Sequence, residues 1–144
     1  MRACLLAISL TLLVPMAQAC AETFLCVGEL ATGLEWSGSE WRVGEMDASR
    51  RIFVVQPSGT LDDYTVTRIG DAAPSHYCPV LRRPDSSLLL FCGGVGNGFS
   101  FSSKTLRFQE TYGIGYTNAG DSNANRPYLV AGKCSRLELR GSNP

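Results

Sequence analysis

The chain has 144 residues, 44% of them hydrophobic and 18% charged, with 13 Lys/Arg against 13 Asp/Glu. That length and composition describe one folded domain and exclude a disordered chain. A balanced charge with no basic stripe also excludes nucleic acid as a partner, because phosphate binding needs a cationic excess.

Residues 1–21, MRACLLAISLTLLVPMAQACA, carry Arg2, then an apolar run from Ala3 to Val14, then Pro15 and small residues. This is the pattern of a secretory signal peptide. The run falls short of the roughly 20 residues that a membrane span needs. Residues 22–144 are therefore expected to form an exported protein, periplasmic or extracellular, with no transmembrane span. Cleavage after Ala21 fits the triplet Ala19-Cys20-Ala21 and leaves Cys26, Cys78, Cys92 and Cys134, an even set suited to an oxidising compartment. Cleavage before Cys20 is the alternative. It leaves five cysteines and a lipid anchor at Cys20, which Gln18 and its neighbours do not favour.

From Glu22 onward the apolar residues come in short runs: TFLCV, GLEW, WRVGEM, RIFVVQ, YTVTRI, SLLLFC, FSFSS, TLRFQETY, PYLVAG and CSRLEL. They are rich in β-branched and aromatic residues, several alternate, and Gly, Pro, Ser, Asn or Asp separate them. Within TLRFQETY, Thr105, Arg107 and Gln109 form the polar set, and Leu106 and Phe108 face the other way. DASRR at 47–51 reads as one helical turn. Many short strands without an internal repeat or linker predict a single all-β domain, an antiparallel barrel or sandwich.

Both tryptophans lie in GLEWSGSEWRV, residues 33–43. As a hairpin, this stretch puts Leu34 and Trp36 on one face with Trp41 and Val43, and leaves Glu35 and Arg42 to pair in solvent. Pairing Trp36 with Trp41 leaves a four-residue loop in which Gly38 supplies a positive φ. The aromatic pair is expected to serve the core. The rival role is an exposed stacking platform for a ligand or partner.

Cys78 and Cys92 are 14 residues apart and flank the polar stretch PVLRRPDSS, while Cys26 lies in the first strand and Cys134 near the last. If the sheet closes, first and last strands become neighbours. The expected bridges are then Cys26–Cys134 across the seam and Cys78–Cys92 around one loop.

Chemistry-bearing motifs are weak. His76 is the one histidine, in PSHYCP, and reads as a surface loop residue out of phase with Cys78. A lone histidine and the absence of CxxC pairs leave no zinc set. GGVGNG at 93–98 lacks the GK[ST] of a phosphate loop and reads as a hairpin tip. DSNAN at 121–125 has alternate oxygen ligands, but Arg126 and Gly132 stand where a calcium loop needs Gly and Glu, so it reads as a solvated polar turn. Asp62-Asp63 is too lone a pair for acid–base work. No GxSxG surrounds any serine. No catalytic residue, metal or cofactor is assigned.

CVGELATG at 26–33, the Trp/Phe spacing after it, YGIGY at 112–116 and GKCSRL at 132–137 resemble a group of small exported bacterial proteins of unknown function. The resemblance spans most of the mature chain and rests on scaffold residues. It implies a bacterial periplasmic or surface setting and carries no catalytic residue across. Small disulfide-tied barrels of bacterial envelopes include lysozyme inhibitors, a fold-level analogy only. SGTLDDY at 58–64 begins like the Ser-Gly-x-x-Tyr loop of one such type, but Tyr64 comes two residues late. The expected function is a non-enzymatic binding module, an inhibitor or envelope adaptor, that grips a protein partner, with Trp36 and Trp41 as contacts. The alternative is a carrier of a small apolar ligand in a barrel interior.

Overall fold

A computed structural model describes residues 22–59, 63–118 and 120–138. The expected signal peptide, Cys20 and Asp62 lie outside the described residues. The strands are β1 (Thr23–Trp36), β2 (Trp41–Glu45), β3 (Ile52–Pro57), β4 (Asp63–Arg68), β5 (His76–Arg82), β6 (Leu88–Gly94), β7 (Asn97–Ser102), β8 (Arg107–Tyr112) and β9 (Tyr128–Leu137). A short helix, α1 (Ile114–Asn118), and a 3₁₀ turn at Asn123–Asn125 fill the β8–β9 connection.

Eight of these strands, β1 and β3 to β9, form an antiparallel ring in chain order, closed by β1 against β9. The fold is thus a closed barrel and not a sandwich. The ring closes because β1 is long. Its fourteen residues pair with β9 from Thr23 to Gly33 along one edge. Its other edge is shared: Phe24–Val27 pair with β3, and Thr32–Trp36 pair with β2. Strand β2 therefore stands outside the ring, and among the described residues it pairs with β1 alone.

Both expected bridges are present. Cys26 faces Cys134 directly across the β1–β9 seam, with their Cα atoms 3.9 Å apart. Cys78 on β5 joins Cys92 on β6, with their Cα atoms 4.7 Å apart.

Three local expectations are corrected. The separate runs TFLCV and GLEW form one strand, as do PYLVAG and CSRLEL, because the intervening glycines sit where the seam strands approach closely. Gly28 faces Gly132, and a Cβ on Gly132 would come within 2.6 Å of the Phe108 ring. HYCPVLR, read as flank and loop, is β5; its connection to β6 covers residues 83–87 only. DASRR forms a single hydrogen-bonded turn without helix: Arg51 N–H donates to the Ala48 carbonyl at 2.9 Å, and Asp47 Oδ1 accepts from the Ser49 backbone N–H at 2.8 Å and from Ser49 Oγ at 2.6 Å.

Strand alternation points Phe24, Phe53, Val55, Val66, Leu90, Phe99, Phe101, Phe108 and Val130 inward, all almost fully buried. Phe53 meets Phe99 at 5.5 Å between ring centroids, and Phe53 meets Phe108 at the same distance. Strands β3 and β7 stand four places apart in the ring of eight, so the Phe53–Phe99 contact crosses the barrel axis. Side chains fill the interior at this level, as the narrow bore of a small barrel allows.

Candidate functional site

The chain direction of the strands sorts the loops to two ends. The tip of the β1–β2 hairpin, the β4–β5 loop, the β6–β7 turn and the described residues of the β8–β9 connection gather at one end. Ser58 and Asp63, at the two described ends of the β3–β4 connection, belong to the other.

The hairpin has the expected register, Leu34↔Val43, Glu35↔Arg42 and Trp36↔Trp41. The tryptophan rings meet at 5.6 Å. They are not in the barrel core, however. Both are half-buried, because the hairpin projects beyond the closed ring. Instead they hold the β8–β9 connection. Tyr116 of α1 packs edge-on to Trp41 at 5.6 Å, and Trp41 Nε1–H donates to Asp121 Oδ1 at 2.9 Å. Asn123 is bonded twice to the Trp36 backbone: Oδ1 accepts from the N–H at 2.7 Å, and Nδ2 donates to the carbonyl at 2.8 Å. Asn125 Oδ1 accepts from the Tyr112 hydroxyl. The alternate oxygens of DSNAN are therefore tethers rather than a merely solvated turn. Arg42 turns to Glu40, and Glu35 lies 3.7 Å from Arg126, so the expected Glu35–Arg42 ion pair does not form.

GGVGNG is the expected hairpin tip. Val95 and Gly96 both have positive φ, 47° and 81°, as a two-residue turn of the I′ kind requires. Gly113 N–H donates to the Gly96 carbonyl at 2.6 Å and ties this tip to the start of the β8–β9 connection. Exposed apolar side chains mark this end of the barrel: Val43 at 81% exposure, Val95 at 86%, Ile69 at 56% and Tyr116 at 55%. An apolar cleft of about 300 Å³ lies between the hairpin and β9, walled by Leu34, Val43, Pro127 and Leu129.

The barrel mouth below this surface is polar, and the sequence reading missed it. A cleft of about 180 Å³ is lined by groups from six strands or their ends, among them Arg51, Arg68, His76, Asn97, Glu110 and Tyr128. Glu110 is 6% exposed. Its Oε1 accepts from the Tyr128 hydroxyl at 3.1 Å, and that hydroxyl accepts from Arg51 Nη1 at 3.0 Å. The Arg51 guanidinium also lies 4.1 Å above the Tyr128 ring centroid. Burial pushes the Glu110 carboxyl above its ordinary value, against the pull of Arg51. Tyr128 is likewise raised, by burial first and then by the Glu110 charge.

His76 is corrected on two counts. It is 6% exposed, not a surface residue, and it starts β5 rather than lying in a loop. Because side chains repeat every second residue along a strand, His76 and Cys78 face inward together and are not out of phase. Cys78 is bonded to Cys92, so no thiolate pairs with the imidazole. The ring packs 6.0 Å from Phe99, and burial lowers the His76 pKa below 6.5.

A pH dependence follows. The unfolded imidazole titrates near 6.5 and the folded one lower, so the unfolded chain binds the proton first. The stability contributed by the neutral buried ring is present above 6.5 and is lost as pH falls through the depressed folded value. Glu110 has the opposite sign: its contribution is greatest at low pH and is lost as pH rises through its raised folded value. Comparison of the wild type with His76→Phe cancels Glu110. Urea unfolding of both proteins above and below pH 6.5 is expected to show the wild type losing stability relative to the variant on acidification. Parallel pH profiles would rule out the buried neutral ring.

The signal for Glu110 was present in TLRFQETY. Strand period two places Glu110 in phase with Leu106 and Phe108, on the core side. Among the described residues no group of three His, Cys, Asp or Glu stands close enough to hold a metal ion, and no helix is long and apolar enough to cross a membrane. No family model, curated protein or solved structure matches the chain.

Proposed function

We propose that the protein is an exported, non-enzymatic binding module, periplasmic or extracellular, that grips a protein partner at the hairpin end of the barrel. Two disulfides, the pairing of an oxidising compartment, and the signal-like first 21 residues support export. The observation that carries the binding role is β2. The ring of eight is closed without it, yet among the described residues its outer edge is unpaired, and it bears Val43 at 81% exposure beside Trp36 and Trp41. An open strand edge with apolar side chains is a surface onto which an extended segment of another protein pairs. Aromatic anchors at half-burial are the residues that dominate such contacts. A carrier with an apolar interior finds no support in an axis crossed by the Phe53–Phe99 contact.

The test is capture from an envelope and secreted-protein extract on the immobilised oxidised protein, with c-type lysozyme as a separate bait. A saturable partner is expected, and Val43→Arg should weaken it about tenfold or more, the loss of a good interface anchor. Val43→Arg leaves the ring untouched, so its thermal midpoint should match the wild type. Trp36→Ala and Trp41→Ala should weaken the same partner, with some loosening of the β8–β9 connection. Undiminished capture by a folded Val43→Arg protein would remove β2 from the contact.

A further inference from the structure

We propose that the polar barrel mouth is a second, separate binding site, for a small neutral hydroxyl-bearing ligand of about one sugar ring. It stands independently of the β2 surface.

Two residues that line this cleft each carry a buried polar atom with no hydrogen-bond partner, His76 Nε2 and Glu110 Oε2. Both residues are 6% exposed, and both line the same space of about 180 Å³. Each such atom carries a desolvation cost unless something meets it. The partners already present fix what each atom needs. Ser75 Oγ donates its one proton to the Val66 carbonyl at 3.0 Å. At its 3.1 Å contact with His76 Nδ1, Ser75 Oγ must then accept. The proton of the neutral ring is therefore on Nδ1, and Nε2 presents a lone pair. Glu110 Oε2 lies 3.7 Å from Arg51 Nη1, an ion-pair distance too long for a hydrogen bond. It is the second acceptor. The unmet need of the cleft is thus for donors, at two buried points.

Charge selects among donors. Arg51 and Arg68 disfavour an ammonium group, and Glu110 and Asp71 disfavour an anion. A neutral O–H donor meets both acceptors without either repulsion, and Arg68 at the rim offers N–H groups to the ligand's own oxygens. The rings of Phe53, Tyr112 and Tyr128 complete the lining, which suits a ligand with C–H faces between its hydroxyls. At about 30 Å³ per water the volume holds about six waters, room for one sugar ring but not a chain.

The test is an NMR titration of the full oxidised protein with the methyl glycosides of glucose, mannose and galactose. Glucosamine and glucuronate are the charged comparisons, and cyclohexanol is the ring without the polyol. At least one neutral glycoside is expected to shift the His76, Asn97 and Thr111 amides saturably and to move the His76 Nε2 resonance towards a hydrogen-bonded value. His76→Phe, which keeps a ring against Phe99, and Glu110→Gln should each weaken binding about tenfold, as loss of one buried hydrogen bond does. Tyr77→Ala, on the outer wall, should leave it unchanged. The proposal is overturned if no neutral glycoside gives a saturable shift, the result of a cleft that holds water alone. It is also overturned if a charged analogue or cyclohexanol binds better, or if the wild-type Nε2 resonance stays still while the amides move.

Discussion

Replacing Cys26 and Cys134 together by alanine is expected to lower the unfolding free energy by about 5 kcal/mol. The bridge joins residues 108 apart, and in the chain-entropy account a loop of that size restricts the unfolded chain by about this amount. It also fastens the β1–β9 seam, the pairing that turns a meander into a ring. The same double replacement at Cys78 and Cys92, residues 14 apart, should cost about 3 kcal/mol, because the closed loop is short. Urea unfolding of the two double variants in parallel measures both. Equal losses would place the effect in local packing of the sulfurs and not in loop closure. A total stability of about 5–15 kcal/mol is usual for one domain, so the protein without the seam bridge should be near its folding limit.

Phe53→Ala is expected to cost about 3–5 kcal/mol, the range for deleting a large ring from a packed core. Phe53 is fully buried and touches both Phe99 and Phe108, which are themselves stacked at 5.4 Å. Its contact with Phe99 joins opposite walls, so no single neighbouring side chain can close the gap left behind. Phe91→Ala is the control. Phe91 is 58% exposed on the outer wall, and its loss should fall within about 0.5 kcal/mol. Thermal or urea unfolding separates the two. A small cost at Phe53 would mean that the interior is loosely filled and would reopen the carrier reading.

Much of the scaffold is legible in the sequence. Strand identity came from short alternating runs, and the hairpin register from the spacing of Trp36 and Trp41. The disulfide pairing came from the expectation that first and last strands meet. These are local periodicities or consequences of chain order, and each is written along the sequence. Features that depend on long-range closure are not legible in this way. The fate of the two tryptophans turned on whether the hairpin lies inside or beyond the ring, which depends on how β1 divides one edge between β3 and β2. DSNAN has its spacing for a reason, but the atoms that Asp121 and Asn123 serve are 80 and 87 residues away, at Trp41 and Trp36.

The polar mouth marks the boundary most clearly. Phase along β8 and β5 already puts Glu110 and His76 on the inner face. Whether an inward polar residue lies in an apolar layer or at an open end depends on the stagger of the closed ring, and no single strand encodes that. Arg51, Arg68, Asn97 and Tyr128 reach the same cleft from separate places in the chain. The strand class, the hairpin and the bridges can be read along the chain, because they rest on period, turn chemistry and chain order. The place of β2 outside the ring and the meeting of His76 and Glu110 at one cleft come from the closure of that ring, which no local segment specifies.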